Sequence, residues 1–321
     1  MPTFTLLDAT RERAEPGALL DRRIPAALHD HRVAAPDYRP TAALTAAVNV
    51  ALAIGAPLLV TGEPGCGKTA LAWYLAWYFQ LPQDQPYRLN VKSTTVARDL
   101  LYTFDTVAYF HAGQDPRRRA EVLDKRTFRT AGPLWQAFLA MTGRPAPEVA
   151  ADSASPTPAI VLIDEIDKAP RDFPNDLLHE LDQYEFTCME TGEAVARPEF
   201  SPPPLVIVTS NSERRLPEPF LRRCVFHHIE LDETTVREAV RRRGARIGLD
   251  LALQDAALAK FHYLRSLPNL RKRPSTGELL AWLAALRQAG VPAETLERAP
   301  LRDLPFAGTL LKDREDLAKL G

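Results

Sequence analysis

The stretch VTGEPGCGKT, residues 60–69, constrains the fold more than any other part of the sequence. It follows the apolar run Ala56–Val60, which predicts a short buried strand, and it leads into a periodic apolar segment that predicts a helix from Lys68 to Phe79. The residues from Gly62 to Thr69 fit the spacing G-x-x-x-x-G-K-[ST] with the strand before and the helix after that this spacing requires. A strand, a glycine-rich loop and a helix in this order predict a phosphate-binding loop in a parallel α/β fold.

Each residue type in this loop has a physical role in phosphate binding. Glycines let successive backbone N–H groups converge on phosphate oxygens, and the N-terminus of the helix adds positive potential. The Lys68 side chain can reach the β- and γ-phosphates, and the Thr69 hydroxyl can bind Mg²⁺. A glycine-rich turn that fits the spacing by chance is the alternative, which the flanking elements disfavour. We expect nucleotide contacts from Gly62, Glu63, Pro64, Gly65, Cys66, Gly67, Lys68, Thr69 and Ala70.

Two acidic residues follow a second apolar strand in IVLIDEID, residues 160–167. We expect Asp164 to hold Mg²⁺, directly or through water, and Glu165 to act as the general base that polarises the attacking water. The alternative is an acidic strand end that only caps the following helix. Two adjacent carboxylates with separate tasks favour hydrolysis over binding alone.

Polar groups also follow a third apolar strand, PLVIVTSN, where Asn211 could orient the water and contact the γ-phosphate. Downstream, LPEPFLRRC places Arg222 and Arg223 at the end of a short helix. An arginine there can reach the γ-phosphate of a neighbouring subunit and stabilise transition-state charge. A solvated basic helix end, favoured by the helix dipole, is the alternative that these residues leave open.

Composition excludes several classes of protein. The formal net charge is -1, which disfavours nucleic acid or an anionic membrane as the partner. The cysteines Cys66, Cys188 and Cys224 are too few and too scattered for a disulfide framework or a zinc site. No apolar stretch reaches the ~18 residues of a membrane span, and the first residues do not fit a signal peptide. We therefore expect a cytoplasmic protein with no membrane partner.

Strands alternate with helices up to about residue 230, and only helices are predicted beyond it, which indicates a parallel α/β domain followed by a small α-domain. The segment 144–158 has linker composition but is interpreted as a surface loop, because a boundary there would separate motifs that must meet. The predicted parts are an N-terminal arm (1–35), an α/β nucleotide-binding core (36–230) with a β-hairpin at about 185–198, and a helical domain (231–321).

The order of glycine-rich loop, Asp-Glu strand, Asn-tipped strand, arginine pair and helical region resembles the AAA+ ATPases. In detail it resembles the MoxR-like family of the helix-2-insert clade, from about Tyr38 to Leu317. The segments that carry the resemblance are PLLVTGEPGCGKTALA, GPLWQAFLA, LIDEIDKAPRDFPNDLLHEL, FTCMETGEAV and VTSNSERRLPEPFLRRC.

This resemblance implies a P-loop NTPase AAA+ core with a parallel central sheet, followed by a small all-α lid, with ATP and Mg²⁺ as cofactors. It makes Lys68 and Thr69 the Walker A residues and Asp164 and Glu165 the Walker B residues. The remaining assignments are Asn211 as sensor 1, Arg223 as the finger arginine with Arg222 beside it, and an insert at about 104–131.

The resemblance also implies a ring of identical subunits, expected to be a hexamer, that remodels or activates a client protein, often one with a von Willebrand factor A domain. The sequence departs from the family at Ser275–Gly277, where relatives have Ser-Pro-Arg and the arginine serves as sensor 2. Lys272 and Arg273, just upstream, are the candidates to replace it, and Tyr38 is a candidate for the adenine pocket. Two other functions stay open: a nucleotide-gated scaffold with little turnover, and a nucleic-acid-stimulated motor.

Overall fold

The computed structural model describes residues 25–28, 30–114, 123–142, 156–199, 201–268 and 270–319. Most of the predicted arm (1–35) and of the predicted loop (144–158), and the middle of the predicted insert, lie outside these ranges. The chain divides into two compact units. The sheet unit comprises Pro40–Gly62 and Leu71–Ile229, and the helical unit comprises the chain up to Arg39, the loop Glu63–Ala70 and the chain from Glu230 onward.

The sheet unit is built on a five-stranded parallel sheet with the order β2-β5-β8-β1-β9. Within the described ranges every strand belongs to this unit, and the other two strand pairs are antiparallel ribbons, β3 with β4 and β6 with β7. The strands are β1 (Leu58–Gly62), β2 (Tyr87–Asn90), β3 (Tyr102–Phe104), β4 (Arg129–Ala131), β5 (Ile160–Asp164), β6 (Glu185–Cys188), β7 (Glu193–Ala196), β8 (Leu205–Ser210) and β9 (Val225–Ile229).

The central strands β1, β5 and β8 are buried along their whole length, as expected for near-continuous apolar runs covered on both faces. Val60 pairs with Thr209, and Ile163 pairs with Val208. Because the three strands run parallel and in this register, their carboxyl ends lie at one edge of the sheet. That edge carries Gly62, Asp164 and Ser210. Each of the three sequence motifs lies at one of these strand ends, so the sheet brings the three strand ends together.

The helices of the described residues largely follow the apolar periodicity of the sequence. They are α1 (His31–Ala34), α2 (Ala42–Ile54), α3 (Lys68–Tyr78), α4 (Arg98–Leu101), α5 (Thr106–Gln114), α6 (Pro133–Met141), α7 (Phe173–Asp176), α8 (Leu178–Gln183), α9 (Glu218–Leu221), α10 (Glu233–Arg246), α11 (Leu251–Ser266), α12 (Thr276–Gln288), α13 (Ala293–Arg298) and α14 (Arg314–Ala318).

Helix α3 confirms a helix directly after the glycine-rich loop, and Gly192, at φ 69°, turns the predicted hairpin between β6 and β7. The apolar spacing of Phe173, Leu177, Leu178 and Leu181 predicts one helix from Asp172 to Tyr184, but the structure divides this segment into α7 and α8. Leu177 lies between them with φ −94° and ψ −3°, still in the right-handed helical region, and its side chain is fully buried. Phe173 and Leu181 are buried as well, so the apolar face that the spacing predicts is kept across the break.

The helical unit has its own core. Trp282 of α12 and Phe261 of α11 are fully buried in it, together with valines from α10 and leucines from α11, α12 and α13. Helix α12 begins with a capping box, in which Ser275 and Glu278 satisfy each other's backbone N–H groups. The parallel sheet and the all-α region that follows it confirm the predicted fold class. No described helix is long and apolar enough to cross a membrane.

Candidate functional site

Asp164, the last residue of β5, is held by donors from both neighbouring strands. Thr209 of β8 donates its hydroxyl to Oδ1 at 2.7 Å, and Arg88 of β2 donates from Nη2 to Oδ2 at 2.6 Å. The Asp164 side chain is 6% exposed, and charge-assisted bonds of this length hold a carboxylate in a fixed orientation. The predicted metal-holding carboxylate is therefore an oriented group at the carboxyl edge of the sheet.

Glu165 follows directly and has a different environment. Its backbone is left-handed, with φ 62° and ψ 52°, a conformation that is strained for a residue other than glycine. Its backbone N–H donates to the Thr209 hydroxyl at 2.8 Å, which ties it to the group that orients Asp164. Its carboxylate receives Lys168 Nζ at 2.5 Å and Asn211 Nδ2 at 3.3 Å. The carboxylate bond raises the pKa of Lys168 above its ordinary value.

Asn211 is positioned by Asp167, a residue to which the sequence reasoning gave no role. Asp167 is buried, and its Oδ2 accepts the backbone N–H of Asn211 at 3.1 Å and that of Glu213 at 3.0 Å. The carboxylate thus fixes the turn that leaves β8 and aims the Asn211 amide at Glu165. The only signal in the sequence is the further acid in IDEID, a spacing that by itself does not distinguish a turn anchor from a solvated charge.

The phosphate loop belongs to the helical unit and depends on glycine at two points. Gly65 has φ 78°, and a Cβ there would lie 2.6 Å from Ser275 Oγ. Gly67 has φ 102°, and a Cβ there would lie 3.0 Å from the Tyr38 ring. A side chain at either position would meet both backbone strain and a close neighbour. Tyr38 therefore packs on the loop, while its predicted place in an adenine pocket stays a prediction.

Two side chains of the loop are turned toward the loop itself. Lys68 is buried, and its Nζ donates to the Glu63 carbonyl oxygen at 2.9 Å. Burial raises the pKa of the Cys66 thiol, while the neighbouring Lys68 lowers it in part. A raised pKa keeps the thiol protonated and unreactive, so Cys66 is better explained as a small side chain that fits the loop than as a redox-active thiol.

Arg265 of α11 is a loop contact that the sequence reasoning missed. Its Nη2 lies 2.9 Å from Glu63 Oε2, and its Nη1 donates to the Pro274 carbonyl oxygen at 2.6 Å. The predicted replacements for the sensor 2 arginine, Lys272 and Arg273, are instead exposed. No sequence signal identifies Arg265, because it lies in the last turn of a helix where a basic residue is common.

The two candidate finger arginines lie at the surface of the sheet unit after α9. Arg223 donates from Nε to Asp182 Oδ2 at 2.6 Å and from Nη1 to the Pro219 carbonyl oxygen at 3.0 Å. Arg222 pairs with Glu218 one helical turn away. Both pairs are exposed, so either guanidinium can be presented to another molecule.

The oxygen groups fit Mg²⁺ better than a softer metal. The Thr69 hydroxyl and the Asp164 carboxylate are hard donors, and Mg²⁺ is held in phosphate sites by one or two such groups with water and phosphate oxygens. Among the described residues, no cluster of three or more His, Cys, Asp or Glu side chains could hold a metal ion. The oriented Asp164 carboxylate is a hard donor of the kind that binds a metal arriving with a phosphate ligand.

Residues 57–224 match the AAA domain of the dynein-related subfamily. Among solved structures, domain III of the replication initiation protein DnaA from Thermotoga maritima is 12% identical, with a TM-score of 0.43 over 86% of this chain and 96% of that chain. An ATPase described as putative, from Cytophaga hutchinsonii, is 14% identical, with a TM-score of 0.38 over 86% and 78% of the two chains. The Hsp104–ADP complex of S. cerevisiae is 16% identical, with a TM-score of 0.43 over 78% and 44%. No curated protein matches the sequence.

Proposed function

This chain belongs to the AAA family, in its dynein-related subfamily, and from that premise we propose that it binds ATP with Mg²⁺ and hydrolyses it. The phosphate loop would hold the β- and γ-phosphates through its backbone N–H groups and Lys68. Bound Mg²⁺ would supply Lewis-acid stabilisation of phosphate charge, with Thr69 and Asp164 as its protein-side oxygens.

The observation that carries this proposal is the difference between the two acids at the edge of the sheet. Both Asp164 oxygens accept hydrogen bonds from neighbouring strands, whereas the Glu165 carboxylate accepts from the ends of the Lys168 and Asn211 side chains, and the Lys168 side chain is 44% exposed. A fixed carboxylate suits a metal, and a carboxylate with exchangeable partners suits a base that takes a proton from water. A protein that only binds nucleotide has no use for the second group.

We assign the proton transfer to Glu165 and the placement of the water to Asn211. The Asn211 side-chain amide donates to Glu165 Oε1, and the backbone N–H of Asn211 donates to Asp167. The side-chain amide therefore lies beside the oxygen that would receive the proton. Lys168 pairs with the other carboxylate oxygen, and its side chain is 44% exposed, so this ion pair can be exchanged for solvent during turnover.

The proposed assembly is a ring of identical subunits, taken to be a hexamer, in which Arg223 completes the site of the next subunit. Support comes from the exposed position of Arg223, whose guanidinium is available to another molecule. We place the chain in the MoxR-like branch on the segments that carry the resemblance. The corresponding role is cytoplasmic remodelling of a client protein, with a von Willebrand factor A domain as the first client to test.

Hydrolysis is tested by comparing the chain with its Glu165→Gln variant. We expect a ~10²–10⁴-fold lower turnover with nucleotide binding retained, because the substitution removes only the base. Equal turnover of the two proteins would contradict hydrolysis at this site and favour the nucleotide-gated scaffold.

The shared site is tested by mixing two inactive variants, Glu165→Gln and Arg223→Ala. In a randomly mixed ring, about one quarter of interfaces join an intact base from one variant to an intact arginine from the other. We therefore expect the mixture to regain activity that neither variant has alone. Failure of the mixture to recover, with rings confirmed by sedimentation, would contradict an arginine acting between subunits.

The nucleic-acid motor gains no support from the arginine-rich end of α10. Arg246 pairs with Asp37 at 2.9 Å, and Arg241 pairs with Asp255 at 2.5 Å. These arginines form ion pairs within the helical unit, which favours a structural role for them over contact with nucleic acid. A strong, salt-dependent stimulation of turnover by DNA would reverse that interpretation.

A further inference from the structure

We propose that Arg88 regulates the affinity for Mg²⁺ by competing with the metal for Asp164. This inference rests on the proposed function, since it assigns a second cation to the carboxylate that we propose as the metal-holding group. Arg88 is a positioning residue in this scheme, because it acts on the metal through Asp164.

The geometry of the edge strand carries the proposal. In the parallel register of β2 and β5, Asn90 lies opposite Asp164, and Arg88 lies opposite Leu162. The Arg88 side chain must therefore extend along the strand toward the carboxyl edge to place Nη2 2.6 Å from Asp164 Oδ2. Arg88 is 31% exposed, so the guanidinium lies between solvent and the carboxylate and has a route away from it.

The distribution of donors on Asp164 gives the direction of the effect. Thr209 donates to Oδ1 and Arg88 to Oδ2, so the neutral donor and the cation are on different oxygens. A metal or a metal-bound water that approaches Oδ2 meets a positive charge already there, and like charges on one carboxylate repel. Metal binding therefore requires the guanidinium to move toward solvent or to accept an unfavourable charge contact.

The opposite possibility is that Arg88 only holds Asp164 in place for the metal. Thr209 already orients the carboxylate and also binds the backbone of Glu165, so orientation does not depend on Arg88 alone. The two roles predict opposite results when the charge is removed. Competition predicts tighter metal binding, and orientation predicts weaker metal binding.

The experiment measures the coupling between nucleotide and metal in the full chain, without turnover. The dissociation constant of a fluorescent ADP analogue is determined in EDTA and in excess Mg²⁺, and the ratio of the two gives the coupling. We expect Arg88→Met, which keeps an apolar stem and removes the charge, to raise this ratio about tenfold, or about 1.4 kcal/mol. Arg88→Lys keeps the charge and should stay within about threefold of the unaltered chain, or about 0.65 kcal/mol.

Arg98→Met is the matched control, because Arg98 pairs with Glu190 at 3.2 Å and has no contact with Asp164. It should leave the ratio unchanged. A ratio that is unchanged or lower in Arg88→Met overturns the proposal. If Arg88→Met does not fold, Arg88→Gln takes its place with the same expected rise, and a ratio that is unchanged or lower in Arg88→Gln overturns the proposal. If the unaltered chain binds no nucleotide, the proposed function fails together with this inference. If nucleotide and Mg²⁺ binding are coupled but the coupling does not change on substitution of Arg88, only this inference is overturned.

Discussion

Arg223 Nε donates a hydrogen bond to Asp182 Oδ2 at 2.6 Å, so the proposed finger arginine is paired with a carboxylate of its own chain. The two side chains are 41% and 34% exposed, and an ion pair this exposed contributes ~0.2–1 kcal/mol. The pair is strong enough to bias the orientation of the guanidinium and weak enough to be exchanged for a phosphate oxygen. In the proposed ring, Asp182 would keep the arginine oriented until the site of the next subunit binds nucleotide.

Removing either partner of this pair should have very different effects on turnover. Arg223→Ala should lower ATP hydrolysis by assembled rings ~10³–10⁵-fold, because it removes transition-state charge stabilisation. Asp182→Asn should change it by no more than about fivefold, since it removes only an exposed ion pair. Steady-state phosphate release at equal ring concentration measures both. Equal losses in the two variants, or a larger loss in Arg222→Ala, would contradict the assignment of Arg223.

The ion pair between Arg265 and Glu63 should set nucleotide affinity. Arg265→Gln removes the cation that joins Glu63 of the phosphate loop to Pro274, directly before the cap of α12, and should weaken nucleotide binding several-fold. Glu63→Gln should do the same, and the double variant should show no further loss, because contacting pairs are not additive. Fluorescence titration of nucleotide measures all three.

Lys272→Gln and Arg273→Gln are the controls for this prediction, since both positions are exposed. Neither should change the affinity. A clear loss in one of these variants, with Arg265→Gln unaffected, would return the sensor 2 role to the segment that the sequence pattern first indicated. A further loss from Arg265→Gln in the Glu63→Gln background would instead indicate a direct contact between Arg265 and phosphate.

The elements that the sequence predicts well are those whose physics is local. The glycine-rich loop lies between its strand and helix as expected, and parallel strands bring the ends of β5 and β8 to one edge, where Asn211 donates to Glu165. The pairs of Arg88 with Asp164 and of Arg265 with Glu63 were not predictable. Their partners lie 76 and 202 positions apart, and pairing of that kind depends on register and packing rather than on spacing.

A similar limit applies to the tryptophans of α3. Trp73 and Trp77 are large and lie one helical turn apart, a spacing that predicts packing in the core. The buried face of the helix is instead formed by Leu71, Leu75 and the alanines that follow each of them, and both tryptophans are only half-buried. When a helix is apolar on most of its surface, periodicity cannot identify the face that is buried.

Two glycines with similar backbones should respond differently to alanine. Gly65 and Gly192 have φ of 78° and 69°, but a Cβ at Gly65 would lie 2.6 Å from Ser275 Oγ and one at Gly192 would meet nothing within 4 Å. Gly192→Ala should therefore lower the free energy of unfolding by only the left-handed strain, ~1–2 kcal/mol. Gly65→Ala should lower it further and also abolish nucleotide binding. Urea unfolding and nucleotide titration measure the two effects, and equal behaviour would show that the loop tolerates a side chain.

Asp316 should make the stability of the helical region depend on acid. It accepts the backbone N–H groups of Arg271 and Lys272 and binds Lys319, and the first of these bonds contributes most to lowering its pKa to about 2. A pKa below the unfolded value of ~3.9 means that the folded state gains stability from the carboxylate above that value. This gain is lost as the pH falls from about 4 toward 2. The difference in melting temperature between the unaltered chain and Asp316→Asn should therefore be constant above about pH 5 and become smaller toward pH 2. A difference that does not change with pH would show that hydrogen bonding without charge is sufficient.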